Sequence, residues 1–236
     1  LRRGRGRRRR LRATQRAVSE GAVRWAEDGT PESPRFGDVY RSRAGGLAQA
    51  RHVFLQGCDL PRRWQGRDAF TVFEAGFGLG LNFLATWAAW RGDPQRPRLL
   101  HYAATEAHPA RAQDLLRGAA DWPELAPLAQ ALARRWWGLL PGTHRFSLDG
   151  GQVLLTLGIA DSREWLAGQR LLADAVYLDG FDPARNPEMW APELMAALAR
   201  RCRPGAAIAS WTVAHPVRDA LAAHGFVVDK ATGLPP

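Results

Sequence analysis

The chain has 236 residues, 46% hydrophobic and 24% charged, which suits one sizeable α/β domain and excludes two ordinary domains with linkers. No run approaches the roughly 20 apolar residues of a membrane span, and the two cysteines, Cys58 and Cys202, fit neither a disulfide framework nor a metal-ligand spacing, so a reducing cytoplasm and no bound metal are expected. The formal net charge of +10 is concentrated at one end: nine arginines between Arg2 and Arg16 leave only +1 for the rest of the chain.

Residues 1–20 read as a basic, glycine-punctuated tail without apolar period, and such blocks of like charge are usually disordered. Either the tail binds nucleic acid by neutralising phosphates, or it is upstream sequence without a role. It has no apolar core and so is no secretory signal. Between Arg35 and Leu60, Val39–Tyr40 and His52–Leu55 predict a β-hairpin around Gly45-Gly46, an accessory layer near the mouth of a ligand site. Pro61 to Trp64 then begins a polar connection to the first core strand.

That strand is Phe70 to Phe73, apolar and β-favouring, with Glu74 at its carboxyl end. Gly76, Gly78 and Gly80 follow at alternate positions, and Leu81 to Trp90 reads as a helix. A strand, glycine turn and helix open a doubly wound domain, whose ligand lies outside the strand ends against the helix N-terminus. The G-x-G-x-G spacing differs from the G-x-G-x-x-G of dinucleotide binders, which disfavours a dinucleotide-dependent oxidoreductase.

Leu99 to Ala104 predicts the second strand, ending at Thr105-Glu106. An acid there can accept both hydroxyls of a ribose, or it can cap a helix. Residues 107–140 are helical in pattern, broken at Pro123, and the Trp136-Trp137 pair reads as core. Asp149-Gly150-Gly151 joins two strands as a hairpin. Asp161 follows the second of them, where helping Ser162 to cap the next helix is one use open to it. Ala173 to Leu178 is another buried strand, with Asp179-Gly-Phe181 at the expected reaction edge. A turn at Asn186–Trp190, a helix at Ala191–Arg201, a strand at Ala206–Trp211, a helix at Val217–His224 and a last strand at Phe226–Asp229 complete the chain. Strands alternate with helices, which predicts one α/β domain with a mostly parallel sheet.

The glycine loop with its preceding acid resembles the cofactor loop of class I S-adenosylmethionine-dependent methyltransferases. Together with Asp38-Val-Tyr40, Gly46-Leu47, Val53-Phe-Leu-Gln-Gly57 and above all Tyr177-Leu-Asp-Gly-Phe-Asp-Pro-Ala-Arg-Asn-Pro-Glu-Met-Trp190, it resembles the methyltransferase domain of the MnmC family over most of the chain. The resemblance implies a Rossmann-like domain over residues 35–236, with a mostly parallel seven-stranded sheet and an N-terminal β-hairpin accessory segment. It implies S-adenosyl-L-methionine as cofactor and methyl transfer to the amine of 5-aminomethyl-2-thiouridine at the wobble position of tRNA, met in the anticodon loop. In bifunctional relatives an FAD-dependent oxidoreductase domain makes that amine; these residues contain none, so it is expected as a fused or separate partner. Glu74, Gly76, Gly78, Gly80 and Asn82 are expected at the methionine part of the cofactor, Glu106 at its ribose and Asp161 at its adenine. Asp179 is the expected catalytic residue, as proton acceptor or as a holder of the amine N–H, and Phe181 an apolar wall for the base. The family pattern is departed from at Leu79, Gln49, Cys58, Asp182 and the ending Gly233-Leu-Pro-Pro236. The rival reading is a relative that binds S-adenosylmethionine or tRNA without catalysis.

Overall fold

A computed structural model of the protein describes residues 22–42 and 45–233; the arginine-rich tail and residues 234–236 lie outside the described residues. Three short strands, β1 (Arg24–Trp25), β2 (Pro31–Ser33) and β3 (Asp38–Val39), make a small antiparallel sheet. Helix α1 (Gly46–Gln49) runs on into π-helical turns at Ala50–Gln56. The core follows as β4 (Ala69–Ala75), α2 (Leu81–Gly92), β5 (Leu99–Thr105), α3 (Ala112–Gly118), α4 (Ala126–Ala133), β6 (Gly142–Leu148), β7 (Val153–Ile159), α5 (Ser162–Ala167), β8 (Ala173–Leu178), α6 (Pro192–Ala199), β9 (Cys202–Ser210) and α7 (His215–Ala223).

The main sheet has the order β6-β7-β5-β4-β8-β9. Every neighbouring pair is parallel except β6–β7 at one edge. Central β4 is apolar on both faces because both are covered. Phe70 and Val72 enter the core shared with Phe83, Trp87 and Tyr102, while Phe73 and Ala75 enter a second core with Trp165, Leu194 and Met195. From β4 the chain winds to β5 and the β6–β7 hairpin on one side, then returns to β8 and β9 on the other. That reversal opens a crevice at the carboxyl ends of β4, β5 and β8, where open α/β sheets bind ligands.

Four expectations change. His52–Leu55 is helical, not a strand: Phe54 and Leu55 are buried and this stretch packs against α2 and β9, so tertiary packing overrides the β preference of Val53-Phe54. The accessory layer is instead the β1–β2–β3 sheet, which begins ahead of Arg35; the indole N–H of Trp25 donates to Asp114 at 2.9 Å and so ties it to α3. The expected last strand, Phe226–Asp229, has no strand partner among the described residues, so the sheet has six strands rather than seven. Its first N–H is already used: Phe226 donates to Leu221 O and Gly225, at φ 88, to Ala222 O, closing the C-terminus of α7. Finally, Trp136 is buried but Trp137 is 77% exposed, so only one member of the pair is core.

Candidate functional site

A cavity of about 630 Å³ opens at the switch point, within the usual range for small-ligand sites. The turn after β4, the head of α2, the end of β5, the β7–α5 turn, the loop after β8 and the segment around β3 all contribute to its walls. Gly76, Gly78, Asn82, Glu106, Asp161, Asp179 and Phe181 line it together. Glu74 and Gly80 stand outside that lining. Gly80 serves instead to start α2, at φ 74.

The glycine turn is held on both sides. The N–H groups of Gly76 and Phe77 donate to Thr105 O at 3.2 and 2.9 Å, joining the ends of β4 and β5. Gly76 has φ 90, and a Cβ there would overlap the carbonyl oxygen of Asp179. Only glycine admits this approach of two backbones.

Glu106 closes one end of the cavity. Its carboxylate accepts the N–H of Gly78 and of His108, each at 2.8 Å. Burial raises its pKa, and the N–H groups of His108, Gly78 and Ala107 offset part of the rise. Asp161 turns out to be the N-cap of α5 itself, accepting from the N–H of Arg163 and Glu164 and pairing with the Arg163 guanidinium at 3.1 Å. Against the desolvation it suffers, Arg163 and these N–H groups hold its carboxyl below the ordinary value. Ser162 is buried, with its hydroxyl 2.6 Å from that of Thr105.

Asp179 follows directly on the carboxyl end of β8. Its carboxyl is enclosed, which pushes its pKa up from 3.8 to about 7, and a hydrogen bond from Asn82 works in the opposite direction. Asn82 Nδ2 reaches Asp179 Oδ2 at 2.6 Å and Glu74 Oε1 at 2.8 Å. Glu74 lies beneath, 1% exposed on the α2 face of β4.

An aromatic cluster stands against the Glu106 and glycine-turn wall, with Phe36 6.2 Å from the His108 ring and Tyr40 facing Gly78. The Phe181 ring stacks on Phe36 at 4.8 Å and meets the edge of Tyr40 at 5.1 Å. Its loop is fixed from outside: the Trp190 indole donates to Phe181 O at 2.8 Å and the Trp211 indole to Gly180 O at 2.9 Å. Phe36 and Trp211 were not singled out by sequence reasoning, and Trp190 entered only as the last residue of the Tyr177–Trp190 motif; the local signal for Phe36 was the Asp38-Val-Tyr40 motif two residues on. Among the described residues no group of histidine, cysteine and acidic side chains is placed to hold a metal ion, and no helix is long and apolar enough to cross a membrane.

Comparison with known proteins agrees with this geometry. Residues 123–235 match the family model described as S-adenosyl-L-methionine-dependent methyltransferase. The chain is 59% identical over 218 residues to the tRNA 5-methylaminomethyl-2-thiouridine biosynthesis bifunctional protein MnmC of Polaromonas naphthalenivorans, covering 91% of this chain and 34% of that protein. It is 58% identical over 214 residues to the protein of the same name from Paracidovorax citrulli, with the same coverages. The chain thus spans about a third of the length of these curated relatives. The crystal structure of MNMC2 from Aquifex aeolicus has the same fold, with TM-score 0.70 at 20% identity over 93% of this chain and 72% of that one. The chain is an S-adenosyl-L-methionine-dependent methyltransferase domain and belongs with the MnmC proteins over the part of their length that it matches.

Proposed function

We propose that this domain transfers a methyl group from S-adenosyl-L-methionine to the exocyclic amine of 5-aminomethyl-2-thiouridine at the wobble position of tRNA, giving 5-methylaminomethyl-2-thiouridine. One observation carries the reading: Asp179, the glycine turn, Glu106 and the Phe181–Phe36 pair line one cavity, in a chain 59% identical to a protein named for that nucleoside.

The residues fit the cofactor. Gly76 and Gly78 line the cavity with backbone alone, and Glu106 offers a carboxylate to a ribose diol. Asp161 lies on the same wall, where its remaining lone pairs serve an adenine amine. The cofactor supplies a methyl group on a sulfonium, which leaves as the new N–C bond forms and the S–C bond breaks. The protein must bring the amine to it neutral and aligned. An alkyl ammonium has a pKa near that of lysine, about 10.4, so a proton has to leave first. Asp179, with its carboxyl lifted to about 7, is placed to take that proton or to hold the remaining N–H. The Phe181–Phe36 pair offers a flat apolar face to a base splayed out of an anticodon loop.

The proposed setting is the cytoplasm and the proposed partners are tRNA and, as the relatives' description "bifunctional" suggests, an FAD-dependent oxidoreductase domain or protein that makes the amine. Residues 35–236 are proposed as the methyltransferase unit. The test is methyl transfer to tRNA from cells lacking this modification, read as nucleosides by mass spectrometry. The methylaminomethyl nucleoside should appear only with S-adenosyl-L-methionine and be lost in Asp179→Ala; cofactor binding without any new methylated nucleoside overturns the reading.

A further inference from the structure

Glu74 is a buried carboxyl in contact with the site but not in its wall. It projects from the face of β4 that α2 covers, beside Tyr102 of β5 and Tyr177 of β8. Oε1 accepts the amide N–H of Asn82 at 2.8 Å, and Oε2 lies 2.8 Å from the Tyr102 hydroxyl. Both partners are neutral. No ion pair reaches Glu74 among the described residues. The titratable groups that face it are Asp179 across Asn82, Glu106 at the end of β5 and the phenols of Tyr102 and Tyr177. All are neutral or acidic.

An ionised carboxylate in such a place would have no countercharge and a second carboxylate beside it. Protonation is the far smaller cost. The geometry accommodates the proton, since an O···O distance of 2.8 Å serves equally when Glu74 donates to the Tyr102 oxygen. Asn82 has two amide hydrogens and divides them between the carboxyls, one to Glu74 and one to Asp179 at 2.6 Å. The acceptance by Glu74 orients the amide, and the oriented amide stabilises charge on Asp179.

We infer that Glu74 is held as the neutral acid, and that Asn82, oriented by it, is the positioning residue that keeps Asp179 the ionised member of the pair. Glu74 then touches no cofactor, contrary to the role expected of an acid ahead of a glycine loop. The part played by Asp179 rests on the methyl-transfer reading; the protonation of Glu74 does not.

Glu74→Gln retains shape and both hydrogen bonds while removing the acid. At about pH 8, above the Asp179 titration, the infrared spectrum of the unliganded protein should contain the carbonyl stretch of a buried protonated carboxyl, and Glu74→Gln should remove it. Its S-adenosyl-L-methionine affinity by calorimetry should stay within about threefold of wild type, because no cofactor charge is lost. Asn82→Ala withdraws the N–H that favours ionised Asp179, so the acidic limb of the pH profile of kcat/KM should move up by about one pH unit. A band that is absent in the wild type or survives in Glu74→Gln overturns the assignment. So does a hundredfold loss of cofactor affinity in a Glu74→Gln protein that melts like wild type, and so does an unmoved acidic limb in Asn82→Ala. If the band behaves as expected but no tRNA is methylated, the proposed substrate fails and the neutral Glu74 stands.

Discussion

Asp38 and Asp182, 144 residues apart, are joined by a hydrogen bond in which the Asp38 carboxylate accepts the Asp182 backbone N–H at 2.8 Å. It ties the accessory sheet to the loop that carries Phe181, and so helps to place the Phe181–Phe36 stack. Asp38→Ala leaves that N–H without its partner, a loss of about 1–3 kcal/mol if water cannot replace it. The KM for tRNA should rise about tenfold while cofactor affinity stays within about twofold. Steady-state kinetics and calorimetry on the same variant check this; equal damage to both would show that the Phe181–Phe36 stack and cofactor binding are not separable.

The Asp179 carboxyl is raised from 3.8 to about 7 by enclosure, and the sign of its effect on stability follows. Below about pH 4 the group is protonated in both folded and unfolded chains and contributes no difference. Between about pH 4 and 7 the unfolded chain releases the proton and the folded one keeps it, so folding stability falls as pH rises through that window. Asp179→Asn should therefore melt higher than wild type at pH 8, with the gap closing toward pH 4, while methyl transfer drops at least about a hundredfold. Thermal melts of both proteins across pH measure the first part.

Glu106 gathers the N–H groups of Gly78 and His108, so it shapes the glycine turn with the same side chain that is proposed to meet the ribose. Glu106→Gln keeps the size and loses the charge. Its S-adenosyl-L-methionine affinity should fall about ten- to a hundredfold with the melting temperature nearly unchanged. Titration calorimetry that finds wild-type affinity would remove Glu106 from the cofactor site.

The two adjacent tryptophans should behave oppositely. Trp136 is 6% exposed, stacks on Phe77 at 5.3 Å and donates its indole N–H to Ala110 O. Trp136→Ala should cost about 3–5 kcal/mol in denaturant unfolding. Trp137→Ala, at an exposed position, should change stability by no more than about 0.5 kcal/mol.

The elements legible in sequence were those whose pattern is local. Phe70–Glu74, the alternate glycines and Leu81–Trp90 form a strand, turn and helix because each step is dictated by neighbouring residues. The Asp149–Gly151 hairpin is of the same kind. Misread segments were decided at long range. Val53-Phe54 has strand composition, yet α2 and β9 receive it as a helical face. Phe226-Val227-Val228 has the β-favouring composition of a strand, but its first N–H is spent on capping α7. Within the site, Asp161 was ambiguous because capping and lining are both open to an acid at that position, and the structure places it in both. Phe36 was missed because its place against Phe181 is set by the fold, and the nearby Asp38-Val-Tyr40 motif marks the segment without announcing that contact.

Ala75 and Leu178 are the last residue pair of the β4–β8 ladder, and the Asp179 N–H donates to Ala75 O at 3.2 Å just beyond it. The amide that carries the proposed catalytic carboxyl is thus part of the central sheet, and its deuterium uptake should follow opening of the whole core rather than breathing of a loop. For the proposed tRNA substrate, room then has to come from the Arg35–Tyr40 side of the cavity, leaving the Asp179 carboxyl as the stationary jaw.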